Sequence, residues 1–444
     1  MNTSNPLARV TAVAVLAVVS APALALNGFF AHGYGTQSKA MGGTGVALAL
    51  DSLAPATNPA AIVRLGSRSD VGLALFHPVR GYTASGAPSG ACASASACSF
   101  GLDPQSIGSG SELFPIPSFG LVRPISDRAA LGLSVYGNGG LNTDYTAGSA
   151  TFGVPSGTVP PGQSASAPGV YGAGDAGIDL SQLFVVLSYA RRFGDELSIG
   201  IAPILAGQRF RAKGLGSFAA YSSDPTHLGN TGYDTALGGG GRVGIQAKVH
   251  PRLQLGASWQ SRIYMAKFNR YAGLFAGQGD LDIPSTFTLG AAALVAPALT
   301  VAFDVQRILY SDVAAIGNRL LPNLVTARLG DDGGAGFGWK DMNIYKLGVA
   351  LATDGNRTWR FGYSYGTAQI PGSQNFLNVL GPAVVQHHLT AGLTQKLAKG
   401  RAINLSLMFA PYNSVEGPNP LDPAQRVEVE ARMLEVEFSY VWGG

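Results

Sequence analysis

The sequence predicts an all-β fold, a 14-stranded antiparallel transmembrane β-barrel with an N-terminal hatch in the lumen. Three observations predict it: a Gly-rich and charge-poor composition, a succession of segments with period-two alternation, and connections that alternate between short and long. The 444 residues include 61 glycines, 46% are hydrophobic and 13% are charged. That is too apolar for a disordered chain and too Gly-rich for an ordinary globular enzyme. A barrel fits, because its lipid face is apolar while small residues suit its bends and lumen. The basic residues are scattered without a block, so no nucleic-acid partner is expected.

The first residues read as an export signal, with Arg9 as the positive end, an apolar run from Val10 to Val19, and Ala23-Leu24-Ala25 as the cleavage site. The apolar run is too short to span a membrane, and no later stretch reaches the roughly 18 apolar residues of a spanning helix. The expected division is a signal peptide at 1–25, a hatch at 26–69 and the barrel at 70–444. Residues 26–69 do not alternate, and their Gly and Pro density favours short turns and helical pieces. A segment of that length fits the lumen of a large barrel; a periplasmic tail is the alternative.

From about residue 70 the segments alternate. Leu253, Leu255, Ala257 and Trp259 oppose Gln254, Gly256, Ser258 and Gln260, and Trp359, Phe361, Tyr363 and Tyr365 oppose Arg360, Gly362, Ser364 and Gly366. Fourteen such segments start near residues 70, 115, 129, 179, 195, 234, 251, 284, 297, 340, 355, 384, 400 and 427. A soluble sandwich would carry more Lys and Glu on its exposed faces. Short turns at 126–127, 194–195, 250–251, 296–297, 354–355 and 399–400 belong on the periplasmic side. The segments 82–115, 145–179, 213–234, 265–284, 309–340, 369–384 and 412–427 are then surface loops. Cys92 and Cys98 lie in the first of them, where an oxidising compartment permits a local disulfide; two thiols without partners suggest no metal site. The last strand carries Leu434, Val436, Phe438, Tyr440 and Trp442 on its lipid face, followed by Gly443 and Gly444.

The motifs before the barrel carry a family resemblance. Asn27-Gly28-Phe29-Phe30, Met41-Gly42-Gly43-Thr44-Gly45-Val46-Ala47 and Asn58-Pro59-Ala60 resemble the long-chain fatty-acid transporter (FadL) family, which also includes aromatic-hydrocarbon uptake proteins. The resemblance implies a location in the bacterial outer membrane, a hatch gate at Asn58, Pro59 and Ala60, and surface loops that catch the ligand. It also implies a kinked third strand through which ligand leaves sideways into the bilayer. The matching position is Gly137, Asn138, Gly139 and Gly140, where three glycines in four residues suggest a bulge, or else the start of the outer loop.

The expected ligand is a long-chain fatty acid, with aromatic or aliphatic hydrocarbons as the alternative and a structural or adhesin barrel as the reading from another class. A greasy ligand is poorly served by a water-filled pore, since each exposed methylene costs about 0.8 kcal/mol. Ligand-binding candidates in the loops are Phe218, Phe268, Tyr271 and Phe275, the last three spaced with Leu274 for one helical face, although each suits loop packing equally. By parity Arg242, Lys248, Arg262, Lys346 and Arg360 face inward, and Lys346 and Arg262 are the candidates to meet a carboxylate, unless they form lumen salt bridges with Asp304, Glu435 or Asp51. Arg209 and Arg211 share the lipid-facing parity near the outer rim, where outer-leaflet lipid and lipopolysaccharide phosphates lie.

Enzyme motifs are missing: there is no Gly-x-Ser-x-Gly elbow, no His-Glu-x-x-His and no P-loop. His387 and His388 are adjacent on a strand, so they point to opposite faces. A non-enzymatic barrel without cofactor or metal, working as a monomer, is expected.

Overall fold

Alternating side chains, apolar toward lipid and small or polar toward the lumen, commit the chain to long antiparallel strands. The computed structural model describes residues 27–94, 97–153 and 165–443. The signal read at 1–25 lies outside the described residues. Fourteen strands form the wall: β1 (Arg68–Ser85), β2 (Phe114–Ser126), β3 (Ala129–Asn142), β4 (Gly177–Phe193), β5 (Leu197–Lys213), β6 (Asp234–His250), β7 (Leu253–Gln260), β8 (Thr286–Ala296), β9 (Leu299–Ile308), β10 (Met342–Ala352), β11 (Arg357–Gly366), β12 (His387–Lys396), β13 (Ala402–Asn419) and β14 (Asp422–Trp442). Each pairs with its sequence neighbours, and β1 closes the barrel on β14 from Ser69↔Trp442 to Ser85↔Arg426. Closure removes the free edges that would otherwise leave backbone groups unpaired in hydrocarbon.

The two faces separate cleanly. On β1, Val71, Leu73 and Leu75 are exposed to the surroundings while Ala74 and Phe76 are buried. On β14, Leu434, Val436, Phe438 and Trp442 face out and Glu435 and Glu437 are buried in the lumen. One end of the barrel carries two- to five-residue turns, the other long connections with short helices and small hairpins, among them a hairpin held by a Cys92–Cys98 disulfide.

One expected surface loop is not a loop. The segment 412–427 continues β13 and β14, which turn only at Pro420-Leu421. These strands have 18 and 21 residues, well beyond the roughly 9–11 that cross a bilayer, so their outer halves stand in water. There the outward face is polar, as in Glu416, Arg426, Glu428 and Glu430, while the inward Val427, Val429 and Ala431 stay buried, so the apolar lipid-facing series ends and the alternation reverses.

Residues 27–67 lie inside the barrel as a short helix (Thr36–Lys39), two 3-10 turns (Ala54–Ala56 and Pro59–Arg64) and irregular chain. The wall makes room for this backbone with inward glycines. A Cβ on Gly200 would fall less than 3 Å from Ala60, on Gly244 from Asn58, on Gly256 from Val46, on Gly348 from Thr44 and on Gly362 from Gly42. Gly200 faces Gly244 and Gly348 faces Gly362 across their ladders, so these positions form parts of a collar around the lumen.

The collar predicts that Gly362→Leu or Gly244→Leu displaces residues 27–67 while the wall stays closed. Protease cleavage within that segment should accelerate at least ten-fold with heat-modifiable migration of the folded barrel unchanged. Gly207→Leu, on the lipid face, should do neither; equal protection in all three variants would contradict the close-packing argument.

Candidate functional site

Irregular backbone buried in a barrel must find partners for its N–H and C=O groups, and here inward side chains supply them. The Asp304 carboxylate accepts from the Gly45 and Val46 amides at 2.8 and 3.0 Å. Arg242 donates to the Pro55 carbonyl at 2.8 Å, Ser258 to Thr57 at 2.7 Å and Ser134 to Ser52 at 2.9 Å. Lys346, which faces Asp304 across the ladder, donates to the Gly43 carbonyl at 3.3 Å. Arg360 donates to the Gln37 side chain at 2.7 Å.

The Asn58-Pro59-Ala60 motif sits against the bare wall of β5 and β6. Asn58 caps the 3-10 turn by accepting from the Ala60 amide at 3.0 Å, and its Nδ2 donates to the Val46 carbonyl at 2.7 Å and to Ile245 of the wall at 3.0 Å. Proline at the first position of the turn has no amide to leave unpaired. The motif thus ties two parts of the segment to each other and to the barrel.

The wall changes between β2 and β3. These strands pair only from Ser126↔Ala129 to Ser118↔Tyr136. Beyond Tyr136, β3 stays on β4 as far as Asn142↔Asp179, and β2 stays on β1 as far as Phe114↔Phe76. The stretches Phe114–Pro117 and Gly137–Asn142 therefore face one another with no ladder between them. Pro115 and Pro117 have no N–H to offer. Gly139 pairs with Gln182 and Gly137 with Leu183, which leaves Asn138 as the extra residue of a bulge, and Gly139 has φ +150°. Bulges re-aim a strand and end its pairing.

Asn138 connects this bulge to the segment inside. Its carbonyl accepts from the Ala31 amide at 2.9 Å and the Tyr34 hydroxyl at 3.1 Å, and its Oδ1 accepts from the same hydroxyl at 2.7 Å. Behind the gap lies a cavity of about 30 Å³, bordered by Tyr34, Lys39, Ile116, Gly137, Glu435 and Glu437. Lys39 Nζ is 2.9 Å from Glu435 and 2.5 Å from Glu437, both buried, and Thr36 donates to Glu437 at 2.7 Å. Burial alone would lower the Lys39 pKa, but the two carboxylates outweigh it and hold the group above its usual range. Inward parity marks Glu435 and Glu437 in the sequence, but their partner lies about 400 residues away and no local signal points to Lys39.

The outer connections enclose a second cavity of about 30 Å³, lined by fourteen residues of which none is charged, among them Phe210, Phe218, Phe275, Phe337 and Leu377. Phe218 and Phe275 were expected at a ligand site and line this cavity. Phe268 and Tyr271 instead pack on Phe210, with ring centroids 5.6 and 4.7 Å away, and Tyr271 is fixed by hydrogen bonds to Ala212 and Gly232. The expected helical face does not form: a 3-10 turn spans only Asn269–Tyr271, and Phe268 before it and Phe275 after it are extended. A third cavity, about 20 Å³ and polar, lies in the lumen beside Phe30, Tyr34, Arg242 and Lys346.

Two cation assignments are corrected. Arg262 lies past the end of β7 at the outer rim, partly exposed, 3.7 Å from Asp282 and bonded to the Asp312 carbonyl. Lys248 is exposed at the short-turn end. Parity is a guide only within the paired span, and both residues stand at its ends.

The filled lumen and the interrupted wall define an outer-membrane-type β-barrel, closed on itself and obstructed by its own N-terminal segment. Its fold is that of FadL-type outer-membrane barrels. The Pseudomonas putida toluene transporter TodX is 17% identical with a TM-score of 0.62, over 93% of this chain and 99% of that one. The Ralstonia pickettii toluene transporter TbuX is 19% identical with a TM-score of 0.60, over 93% and 98%. A Pseudomonas aeruginosa FadL homologue is 15% identical with a TM-score of 0.62, over 94% and 99%. No protein-family model and no curated protein matches the chain.

Asp51 gives the docked segment a pH dependence. Burial and the neighbouring Asp70 carboxylate push it up to about 7, while Arg68 is engaged with Asp70 at 2.7 Å. A carboxyl raised in the folded state stabilises docking fully below its ordinary range, and that contribution is lost as pH rises through about 7. Protease sensitivity of residues 27–67 should therefore increase between pH 5.5 and 8.5, and Asp51→Asn should flatten the profile. A variant with the wild-type slope would assign the titration elsewhere.

Proposed function

We propose that the chain is an outer-membrane channel for hydrophobic compounds, which the outer loops capture, residues 27–67 gate as a hatch, and the gap between β2 and β3 releases sideways into the bilayer. The observation that carries this reading is the unpaired stretch of wall at Gly137–Asn142 with a cavity directly behind it. A sideways exit keeps an apolar ligand out of water, where each methylene costs about 0.8 kcal/mol. An adhesin or structural barrel has no use for such a gap.

Two ligand classes fit, each on its own observation. Long-chain fatty acids are supported by Arg242 and Lys346 beside the polar lumen cavity, although both cations already hold carbonyls of the hatch. Neutral hydrocarbons are supported by the uncharged lining of the outer cavity and by the exit cavity, where one lysine faces two glutamates. An excess carboxylate repels a fatty-acid anion and leaves a neutral molecule unaffected. The neutral ligand is the better fit to both cavities, and TodX and TbuX, which share this fold, are toluene transporters.

Titration of the refolded barrel with toluene and a long-chain fatty acid in parallel discriminates them. We expect saturable toluene binding that is indifferent to Lys346→Met and at least ten-fold weaker binding of the acid. Tight acid binding lost in Lys346→Met would replace the hydrocarbon reading with the fatty-acid one.

The exit is tested by closing it. A Cβ on Gly137 lies 2.9 Å from Ile116 Cγ2, so an Ile116→Cys/Gly137→Cys pair should cross-link the two strands. Oxidation should cut uptake at least ten-fold without affecting binding, and reduction should restore it, with the wild type carried through the same redox cycle. Undiminished uptake by the cross-linked barrel would rule out the sideways route.

A further inference from the structure

We propose that the outer face of β5 carries a binding site for a phosphate of an outer-leaflet lipid, built from Arg209, Arg211 and Arg270 around Tyr233. Along β5 the outward positions Ile199, Ile201 and Leu205 are exposed and apolar, and the series then changes abruptly to Arg209, Arg211 and Lys213. That change falls at the end of the strand carrying the long connections, where the hydrocarbon gives way to head groups. On β6, Leu237 is 69% exposed and lies opposite Gly207, so Leu205 and Leu237 make an apolar shelf directly beneath the arginines.

The arginines are held in place. Their guanidinium carbons lie 4.2 Å (Arg209) and 4.6 Å (Arg211) from the centre of the Tyr233 ring. Tyr233 is itself fixed by donating to Asp179 at 2.6 Å. Arg270 donates to the Thr231 carbonyl at 2.7 Å, which brings its guanidinium beside Gly232. The neighbouring acids do not cancel this charge. Asp179 accepts from Tyr233 and stands 3.8 Å from Arg209, and Asp234 accepts backbone amides of Thr235 and Arg270. Among the described residues Arg211 makes no ion pair. Lys213 is not part of the site, since Asp144 holds it at 2.6 Å.

Three guanidiniums against two carboxylates leave a net positive site at a lipid boundary. Guanidinium matches phosphate bidentately, and its cost of ordering is already met by the stacking on Tyr233. The apolar shelf selects the source: an acyl chain lies along Leu205 and Leu237 while its phosphate reaches the arginines, whereas a free phosphate gains nothing from the shelf.

The test uses the intact barrel in nanodiscs free of anionic lipid, titrated with bis-phosphorylated lipid A, its dephosphorylated form and inorganic phosphate. The wild type should bind lipid A at least ten-fold more tightly than the dephosphorylated lipid, with binding weakened by salt. Arg209→Gln/Arg211→Gln should lose that preference, and Arg211→Gln alone should weaken it, with heat-modifiable migration retained as the check on folding. Equal affinity for the two lipids, or an unchanged affinity in the variants, would overturn the site. Displacement of lipid A by inorganic phosphate at equal concentration would overturn the lipid assignment.

Discussion

The structure depends on packing irregular backbone against a β-wall inside a membrane, where no unpaired polar group can be left to lipid. Two provisions meet that constraint together. Glycines at inward positions let the chain approach the wall, and polar side chains between them supply the missing hydrogen bonds. Neither suffices alone. A wall without the glycines would hold residues 27–67 too far away for Asp304 or Ser258 to reach the backbone. A bare glycine wall would leave buried amides unpaired at about 1–3 kcal/mol each. Part of the high glycine content thus serves where one backbone meets another, which is a different demand from the turns that glycine usually serves.

The same constraint explains the inward cations. In the sequence Arg242, Lys346 and Arg360 read as inward-facing, and Lys346 as a candidate for an anionic ligand, because a buried cation wants a partner. In the folded barrel the N-terminal segment itself offers those partners, as the carbonyls of Pro55 and Gly43 and the side chain of Gln37. A ligand carboxylate would have to compete with contacts that hold the lumen closed. The gap between β2 and β3 carries the opposite charge balance, one lysine between two glutamates, which as the proposed exit would suit cargo without a charge.

Much of the wall was legible because lipid imposes it on every second residue. The β5 and β14 series show this, and the glycines at 137–140 announced a bulge whose position holds. What escaped reading lies where that pressure stops. Above the bilayer the outward face of β13 and β14 is polar and no longer apolar, so 412–427 read as a loop. Arg262 and Lys248 fall at strand ends, where parity no longer says which way a side chain points. The partners of Lys39, Asn138 and Asp304 come from registers set by closure of the whole barrel, and no window of sequence contains both members of such a pair.

The contacts also rank the movements that would open the proposed exit. Cavities of 20 to 30 Å³ hold water but no hydrocarbon, so part of the segment must shift for passage. Removing Lys39 from Glu435 and Glu437 would strand buried charges at roughly 3–5 kcal/mol. Freeing Ala31 and Tyr34 from Asn138 breaks neutral hydrogen bonds worth about 1 kcal/mol each. The cheaper movement therefore pivots on Lys39 and displaces the chain before it, residues 28–35. That stretch also reaches the loops: Phe29 packs on Trp339 at 5.8 Å, and Trp339 packs at 6.3 Å on Phe337, which lines the outer cavity. On the proposed route, ligand entering among the loops thus meets rings in contact with residues 28–35, the part of the segment that is least costly to move, and that part covers the gap.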